Sequence, residues 1–304
     1  MAVVLAYRAL GLGDFLTGVP AFRALARAYP GHRRVLAAPA ALAPLAALTG
    51  AVDEVVDTAP LGPAPEGAEI AVNLHGRGPQ SHALLRASNP GRLIAFGENG
   101  VRWRSDEHEV ARWCRLLRES GIPADADDLA LASPPVPSPV PPGATIVHPG
   151  AASGARRWPA ERFAAVVRAE LEAGHEVVVT GSAAERELAV AVAGAGVTVL
   201  AGETDLLGLA ATIAHAGRVV CGDTGVAHLA TAYGIPSVVL FGPTPPSAWG
   251  PPADRPQHQV LWAGGRGDPH ADTPDPGLLE ITVQDVLDAL QRAPAEKRTG
   301  APNP

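Results

Sequence analysis

The sequence contains few aromatic residues, a single lysine and two cysteines. Only 4% of its 304 residues are aromatic, and its 24 basic residues are arginines apart from Lys297. A formal net charge of -7 argues against nucleic acid as a partner, because binding a phosphate backbone relies on clustered cations. The two cysteines, Cys114 and Cys221, are far apart, so they give no disulfide framework and suit a reducing compartment.

Long apolar runs are also missing, because turn residues interrupt the one uncharged stretch that could span a membrane. Residues 35–52 carry no charge, but they contain Pro39, Pro44 and Gly50. We expect a strand, a proline-started helix and a turn there. The apolar start of the chain stops at Arg8 and has no basic region before it, unlike a secretory signal. The sequence therefore predicts a cytoplasmic protein with no transmembrane segment, with peripheral membrane contact left open.

Short β-branched runs alternate with helical patterns along the chain, which is typical of βα units around parallel sheets. The predicted strands lie near 3–6, 33–37, 54–56, 69–73 and 92–96, and then near 145–148, 176–180, 197–200, 218–221 and 237–241. The predicted helices are 15–29, 108–120, 160–172, 184–192, 206–216, 225–233 and 283–291.

A proline-rich segment separates the two halves of this pattern. Residues 132–143 hold six prolines and follow neither a helical nor an alternating period, which indicates an extended linker. We predict one α/β domain over 1–132, a linker over 133–143, a second domain over 144–292 and a flexible tail over 293–304. Two Rossmann-like domains would place the carboxyl ends of their parallel sheets across a cleft, where α/β proteins bind ligands.

The first loop of interest runs from Gly11 to Asp14 between the first strand and the first helix. A dinucleotide fingerprint needs a glycine where Leu16 stands, so an NAD site is poorly supported. Gly13 would let a ligand approach the backbone. Asp14 is then either a simple helix cap or a general base that removes a proton from a hydroxyl.

Two further loops offer groups that bind phosphate. Arg156 and Arg157 lie in a glycine-containing loop ahead of a helix, where they form either an anion site or an ordinary surface pair. In the Gly-Asp-Thr-Gly-Val-Ala-His segment, hydroxyl, backbone amides and imidazole would converge at a helix start, in Asp223, Thr224, Gly225 and His228. The alternative is that Asp223 caps the helix and His228 is satisfied inside the domain.

Four motifs in this order and spacing resemble glycosyltransferase family 9, the heptosyltransferases that transfer heptose from ADP-heptose to lipopolysaccharide. They are Gly-x-Gly-Asp (11–14), His-Pro-Gly to Arg-Arg-Trp-Pro-x-Glu-x-Phe (148–163), Gly-Asp-Thr-Gly-x-x-His (222–228) and Phe-Gly-Pro-Thr (241–244). The resemblance spans nearly the whole chain. It implies a GT-B fold and an inverting, metal-independent transfer with no cofactor, in which the N-terminal domain binds the acceptor and the C-terminal domain binds the donor.

The resemblance also assigns roles to individual residues. Asp14 matches the family's base, and Arg156 stands where the family usually has lysine, at the diphosphate leaving group. The donor's phosphates and sugar would be held by Asp223, Thr224, Gly225 and His228. Thr204 resembles the stretch near the adenine and Glu185 a group for the ribose hydroxyls, which implies an ADP-linked donor. His75 and Arg77, after a strand, are candidates for acceptor contact, although His75 could instead cap a turn.

Some features depart from the family or offer competing explanations. Residues 1–140 hold 13 arginines against 14 acidic residues, a balance that suits a strongly anionic acceptor poorly and leaves a glycan or a small molecule open. Asp125-Ala-Asp127 and the group Asp268, His270, Asp272 and Asp275 imitate metal sites, but both fall in turn-rich segments, so we predict no metal site. A nucleotide-sugar epimerase and a non-catalytic nucleotide-sugar-binding protein remain alternatives.

Overall fold

A computed structural model of the protein describes residues 1–98 and 100–293. The chain divides into two compact units, Met1–Ser133 and Pro134–Pro304. The tail predicted over 293–304 lies outside the described residues from position 294 onward. Both units are α/β. Within each unit, the strands of the described residues pair in parallel.

The N-terminal unit is a five-stranded sheet with the order β3-β2-β1-β4-β5. Its strands are β1 (Val3–Tyr7), β2 (Arg33–Ala38), β3 (Glu54–Asp57), β4 (Ile70–Asn73) and β5 (Arg92–Ile94). Its helices are α1 (Leu12–Ala28), α2 (Ala43–Leu48), α3 (Gln80–Ala87) and α4 (Glu109–Glu119). The central strand β1 is buried almost throughout, and small aliphatic residues such as Leu5, Ala37 and Ala71 form the core beside it.

The C-terminal unit is a six-stranded sheet with the order β11-β10-β9-β6-β7-β8. Its strands are β6 (Thr145–His148), β7 (Val177–Val179), β8 (Thr198–Val199), β9 (Arg218–Gly222), β10 (Ser237–Phe241) and β11 (His258–Trp262). Its helices are α5 (Ala160–Glu172), α6 (Arg186–Ala193), α7 (Leu206–Ala214), α8 (Gly225–Tyr233), α9 (Pro246–Trp249), α10 (Pro276–Glu280) and α11 (Val283–Arg292).

Most predicted elements are confirmed, including the parallel α/β architecture of both units. The uncharged stretch 35–52 contains the end of β2 and the short helix α2, which has Pro44 in its first turn, as expected. Cys114 lies buried in α4 and Cys221 in β9. No helix in the described part of the chain is both long and apolar enough to cross a membrane.

Several boundaries were wrong. Helix α1 begins at Leu12 rather than near residue 15, because Gly11 takes the extended conformation of an N-cap and nothing in the next three residues breaks a helix. Strand β5 ends at Ile94, two residues early. The sequence patterns also missed β11, a half-buried edge strand with mixed polarity, and α3, whose polar start follows Pro79.

Candidate functional site

Each sheet has one point at which consecutive strands leave in opposite directions, and such points form ligand crevices at the carboxyl ends of the strands. In the N-terminal unit this point lies between β1 and β4, and in the C-terminal unit between β6 and β9. The loops singled out in the sequence follow these four strands. Each unit therefore has its own candidate site, described separately below as the N-terminal site and the C-terminal site.

The N-terminal site is organised by Arg8, the first residue after β1, which is only 1% exposed. Its Nη1 donates to the carbonyl of Leu74 after β4, and its Nε donates to the carbonyl of Asp14. Its Nη2 lies 2.9 Å from Thr17 Oγ1, 3.1 Å from Glu109 Oε1 and 3.4 Å from Asp14 Oδ1. A single buried guanidinium thus joins the β1 loop, the start of α1, the β4 loop and the start of α4.

Asp14 is the third residue of α1 and Gly11 is the N-cap, so the prediction of Asp14 as a simple N-cap is wrong. The Asp14 carboxylate instead accepts hydrogen bonds from the backbone N–H groups of Gly11 and Asp14 in the first turn, and both lower its pKa. The side chain of Asp14 is 30% exposed, which is more than the side chains of Arg8 and Glu109. Burial raises the pKa of Asp14, while Arg8 opposes this rise and Glu109 adds to it. The site therefore presents a carboxylate that solvent can reach and whose basicity is higher than that of an ordinary aspartate.

The predicted acceptor residues follow β4. The His75 ring lies 5.2 Å from the Tyr7 ring, and its backbone N–H is capped by Asn73 Oδ1 at 3.0 Å. Burial and the nearby Arg8 lower the pKa of His75, which favours the neutral form of its imidazole. Arg77 is exposed two residues further along. The structure therefore brings His75 close to this site, whereas Arg77 lies at its surface.

In the C-terminal site, Arg156 ends one turn of 3-10 helix in the loop that follows β6. Its Nη1 donates to the carbonyl of Asp223 at 3.3 Å, and its Nε lies 3.3 Å from Ser153 Oγ. The backbones also meet, because a Cβ atom on Gly222 would lie 3.0 Å from the carbonyl oxygen of Arg156. Both contacts of the guanidinium are long and uncharged, so Arg156 keeps donors for an incoming anion.

Asp223 follows β9 and is 7% exposed. Burial raises its pKa to about 6, and the neighbouring Arg156 limits the rise. The N-cap of α8 is Thr224 rather than Asp223, so the capping alternative for Asp223 is also wrong. Asp223 is instead a buried carboxyl group with one nearby cation.

Thr224 occupies the N-cap of α8 without capping it through its side chain. Its hydroxyl oxygen is buried and makes no hydrogen bond with a described oxygen or nitrogen atom, and the polar side chain that it reaches is the thiol of Cys221, a weak acceptor. Gly225 begins the helix, whose N-terminal amides carry partial positive charge. One turn later the His228 ring lies 6.1 Å from the Trp249 ring. A buried hydroxyl without an oxygen or nitrogen partner at a helix start is expected where a ligand oxygen binds.

The neighbouring strands carry the remaining predicted donor residues. The carboxylate of Glu185, after β7, accepts hydrogen bonds from the amide and hydroxyl of Ser182 through Oε2, each at 2.8 Å. A Cβ atom on Gly150 would collide with this carboxylate, so the loop after β6 passes directly beside it. Thr204 is half-buried after β8, just before the start of α7. Glu185 therefore borders the Arg156 loop, while Thr204 lies further along the same sheet edge.

A segment later in the chain, residues 269–275, is hydrogen-bonded to the loop that carries Arg156. Ser153 Oγ donates to the carbonyl of Pro269 at 2.5 Å, and the backbone N–H of Ala155 donates to Ala271 at 2.8 Å. The N–H of Asp275 returns to the carbonyl of Ala155 at 3.2 Å. Residues 269–275, here called the strap, therefore fix the loop that carries Arg156.

The segments that imitate metal sites are turns. Asp125 Oδ1 accepts from the backbone N–H of Asp127, Asp268 Oδ1 accepts from that of His270, and Asp275 caps α10. Among residues 1–98 and 100–293, no group of three or more His, Cys, Asp or Glu side chains is arranged to hold a metal ion.

The sequence patterns missed Arg8, Thr17 and Glu109 as members of the N-terminal site, and Ser153 as a member of the C-terminal site. Arg8 was visible only as a charged residue at the end of a buried strand, a position where charge is unusual. Glu109, 101 residues further along, gave no local signal.

Two parallel α/β units, each with a candidate site at the switch point of its sheet, define a protein with a GT-B type fold. The sequence model of glycosyltransferase family 9 (heptosyltransferase) matches residues 84–268, which is more than half of the chain. The protein belongs to this family, as the four sequence motifs predicted. Asp14 lies outside the matched residues, so its role depends on the geometry of its own site.

Comparisons with known proteins agree with this assignment. Lipopolysaccharide heptosyltransferase 2 of Escherichia coli strain K12 is 33% identical over 155 residues, which is 47% of this chain and 44% of that protein. The alignment thus spans less than half the length of this curated relative. The structure of E. coli ADP-heptose lipopolysaccharide heptosyltransferase II matches with a TM-score of 0.76 and 22% identity, covering 96% of this chain and 98% of that one. A family 9 glycosyltransferase from Veillonella parvula matches with a TM-score of 0.78 and 18% identity, covering 96% and 97%.

Proposed function

We propose that the protein is an inverting glycosyltransferase that moves heptose from an ADP-linked donor to a hydroxyl group of a glycan or small-molecule acceptor, without a metal ion or cofactor. The observation that carries this proposal is the C-terminal site. There the Arg156 guanidinium, which makes two long hydrogen bonds, meets the start of α8 and the buried Thr224 hydroxyl, which has no oxygen or nitrogen partner among the described residues. Such a combination suits a diphosphate. Family membership and the heptosyltransferase names of the relatives supply the sugar.

In the proposed reaction, Asp14 removes the proton of the acceptor hydroxyl. The acceptor oxygen then forms its bond to the anomeric carbon while the bond from that carbon to the phosphate oxygen breaks. The electron pair of the broken bond goes to the diphosphate, and Arg156 with the amides at the start of α8 stabilises the added charge. A single displacement of this kind inverts the anomeric centre.

The other predicted residues have roles within this proposal. Glu185 would accept hydrogen bonds from the ribose hydroxyls through Oε1, since Oε2 is engaged by Ser182. Thr204 would contact the adenine, and Gly13 would let the donor approach the first turn of α1. Asp223 and His228 would contact the donor's sugar and phosphates, while His75 and Arg77 would contact the acceptor.

A donor and acceptor screen read by mass spectrometry tests the proposal. ADP-heptose, GDP-sugars and UDP-sugars are each incubated with a panel of acceptors, with and without EDTA. We expect transfer from ADP-heptose that EDTA does not reduce. Conversion of the donor in the absence of any acceptor would instead indicate an epimerase, and ADP-heptose binding without turnover would indicate a non-catalytic binding protein.

The Asp14→Asn variant tests the base. We expect transfer to fall roughly 10³-fold, within the range for loss of a general base, while ADP binding stays unchanged. Asp53→Asn is the matched control, because Asp53 lies in the same unit but pairs with Arg34 at the surface. Near-normal transfer by Asp14→Asn would show that Asp14 is not the base.

A further inference from the structure

Three carboxylate or hydroxyl groups share one nitrogen of Arg8. Its Nη2 has two hydrogens, yet it faces Thr17 Oγ1 at 2.9 Å, Glu109 Oε1 at 3.1 Å and Asp14 Oδ1 at 3.4 Å. Thr17 and Glu109 take the shorter contacts. Asp14 is therefore left with the longest of the three, although it is the group with the proposed chemical role.

Glu109 is held where it can compete in this way. It is 6% exposed, its Oε1 also accepts from Trp113 Nε1 at 2.8 Å, and its Oε2 pairs with Arg112. Arg112 is fixed in turn by the carbonyl of Glu107 at 2.7 Å. The carboxylate of Glu109 thus has a fixed position beside Arg8.

A tight ion pair with Arg8 would weaken Asp14 as a base, because a cation in close contact favours the ionised carboxylate. We propose that Glu109 is a positioning residue for Asp14, which acts by drawing the Arg8 guanidinium away from it. This inference rests on the proposed function, in which Asp14 is the base. Glu109 itself would not touch the substrate.

The charged and titratable side chains around Asp14 come from three elements. Asp14 faces Arg8 from the first turn of α1, and Glu109 and Arg112 lie on α4. His75, whose pKa Arg8 lowers, follows β4. Burial raises the pKa of Asp14, Arg8 lowers it and Glu109 raises it, in agreement with the competition that the distances show.

The test is a titration of Asp14 by NMR in the full-length protein labelled with ¹³C at aspartate carboxyl groups, with the signal assigned through Asp14→Asn. In Glu109→Gln, we expect the Asp14 midpoint to move to lower pH. In Arg112→Gln, where Glu109 loses its second cation, we expect the midpoint to move to higher pH. If Glu109→Gln does not fold, the shift of the Asp14 midpoint in Arg112→Gln tests the proposal.

The matched control is Glu107→Gln, which removes the same charge from the same helix entrance. Glu107 pairs with Arg115 at 2.8 Å rather than with Arg8, so the Asp14 midpoint should not move. If Glu109→Gln and Arg112→Gln leave the midpoint where Glu107→Gln leaves it, the proposal is overturned.

Activity gives an independent measurement. In Glu109→Gln, the acid limb of the kcat/KM profile should move to lower pH, and the plateau of kcat should fall several-fold because Asp14 is a weaker base. A purely structural role would lower kcat without moving the limb. If the wild-type protein transfers no sugar, the proposed function fails, and the NMR titration still decides the role of Glu109.

Discussion

The two units have similar sheets, but they arrange charge at their switch points in opposite ways. In the N-terminal site the cation is buried and fully engaged, and the carboxylate of Asp14 keeps 30% exposure. In the C-terminal site the carboxyl of Asp223 is buried near Arg156, and the two side-chain hydrogen bonds that Arg156 makes with Ser153 and Asp223 are 3.3 Å long and go to uncharged oxygen atoms. In the proposed function, one topology thus provides a base in one unit and an anion-binding site in the other.

The comparison shows that the burial of each partner, rather than the residue types, decides what a site can do. Each site contains an arginine and an aspartate, which follow one strand, β1, in the N-terminal site and two neighbouring strands, β6 and β9, in the C-terminal site. A buried arginine organises the backbone around it, whereas a lightly held arginine is available to a ligand. Three substitutions test this contrast between the two sites.

The largest effect is expected for Arg8→Met. This change removes every hydrogen bond of a buried guanidinium and leaves Glu109 with one cation fewer, so it should destabilise the N-terminal unit by about 3–5 kcal/mol. Hydrogen exchange read by mass spectrometry should show lost protection in peptides of residues 1–133 and little change in 134–293. Arg33→Met, at an exposed pair with Glu54, should alter protection by under about 1 kcal/mol. Equal effects would contradict the organising role of Arg8.

Asp223→Asn should have the next largest effect, with the opposite sign. The pKa of Asp223 is raised to about 6, so the folded protein favours the protonated form. The resulting stabilisation is complete below the ordinary pKa of aspartate and is lost as the pH rises through about 6. The neutral amide should therefore stabilise the C-terminal unit by roughly 3 kcal/mol at pH 8 and by about half as much at pH 5. Denaturant unfolding at both pH values, followed by hydrogen exchange, measures this difference.

Arg156→Met should have the smallest effect on free energy and should change ligand binding rather than folding. Loss of a charge-assisted contact with phosphate should weaken ADP binding by about 2 kcal/mol, or roughly 30-fold. Calorimetry measures the affinity. The matched control is Arg157→Met, since Arg157 lies next in the loop and donates to the carbonyl of Ala151 at 2.9 Å. Similar losses in both variants would indicate that overall loop charge, not a directed guanidinium, attracts the ligand.

Much of the fold followed from local patterns. Strands β6 and β10 and helix α8 have the predicted bounds, because each is a short apolar run bordered by strong turn or cap residues. Edge strand β11 escaped prediction, since its sequence His-Gln-Val-Leu-Trp alternates weakly and is only half-buried. The boundaries of α1 were missed because glycine at its second helical position was taken for a loop residue.

The candidate sites were predictable to a different degree. The motifs identified Asp14, Arg156 and Thr224, because loops after parallel strands carry ligand-binding residues whatever the sequence between them. They could not identify Glu109 or the strap, since both act through contacts with partners about a hundred residues away. The exposure of Asp14 and the burial of Asp223 likewise depend on packing that no local window contains.

The strap has a consequence for the order in which the protein is completed during synthesis. Ser153 and its partner Pro269 are 116 residues apart in the sequence. Most of the C-terminal unit must therefore be synthesised before the strap can bind the loop that carries Arg156. The loop that carries Arg156 would then be among the last parts of its unit to mature. A released chain truncated before residue 269 should contain the strands β6 to β11 and still lack the residues that fix the Arg156 loop.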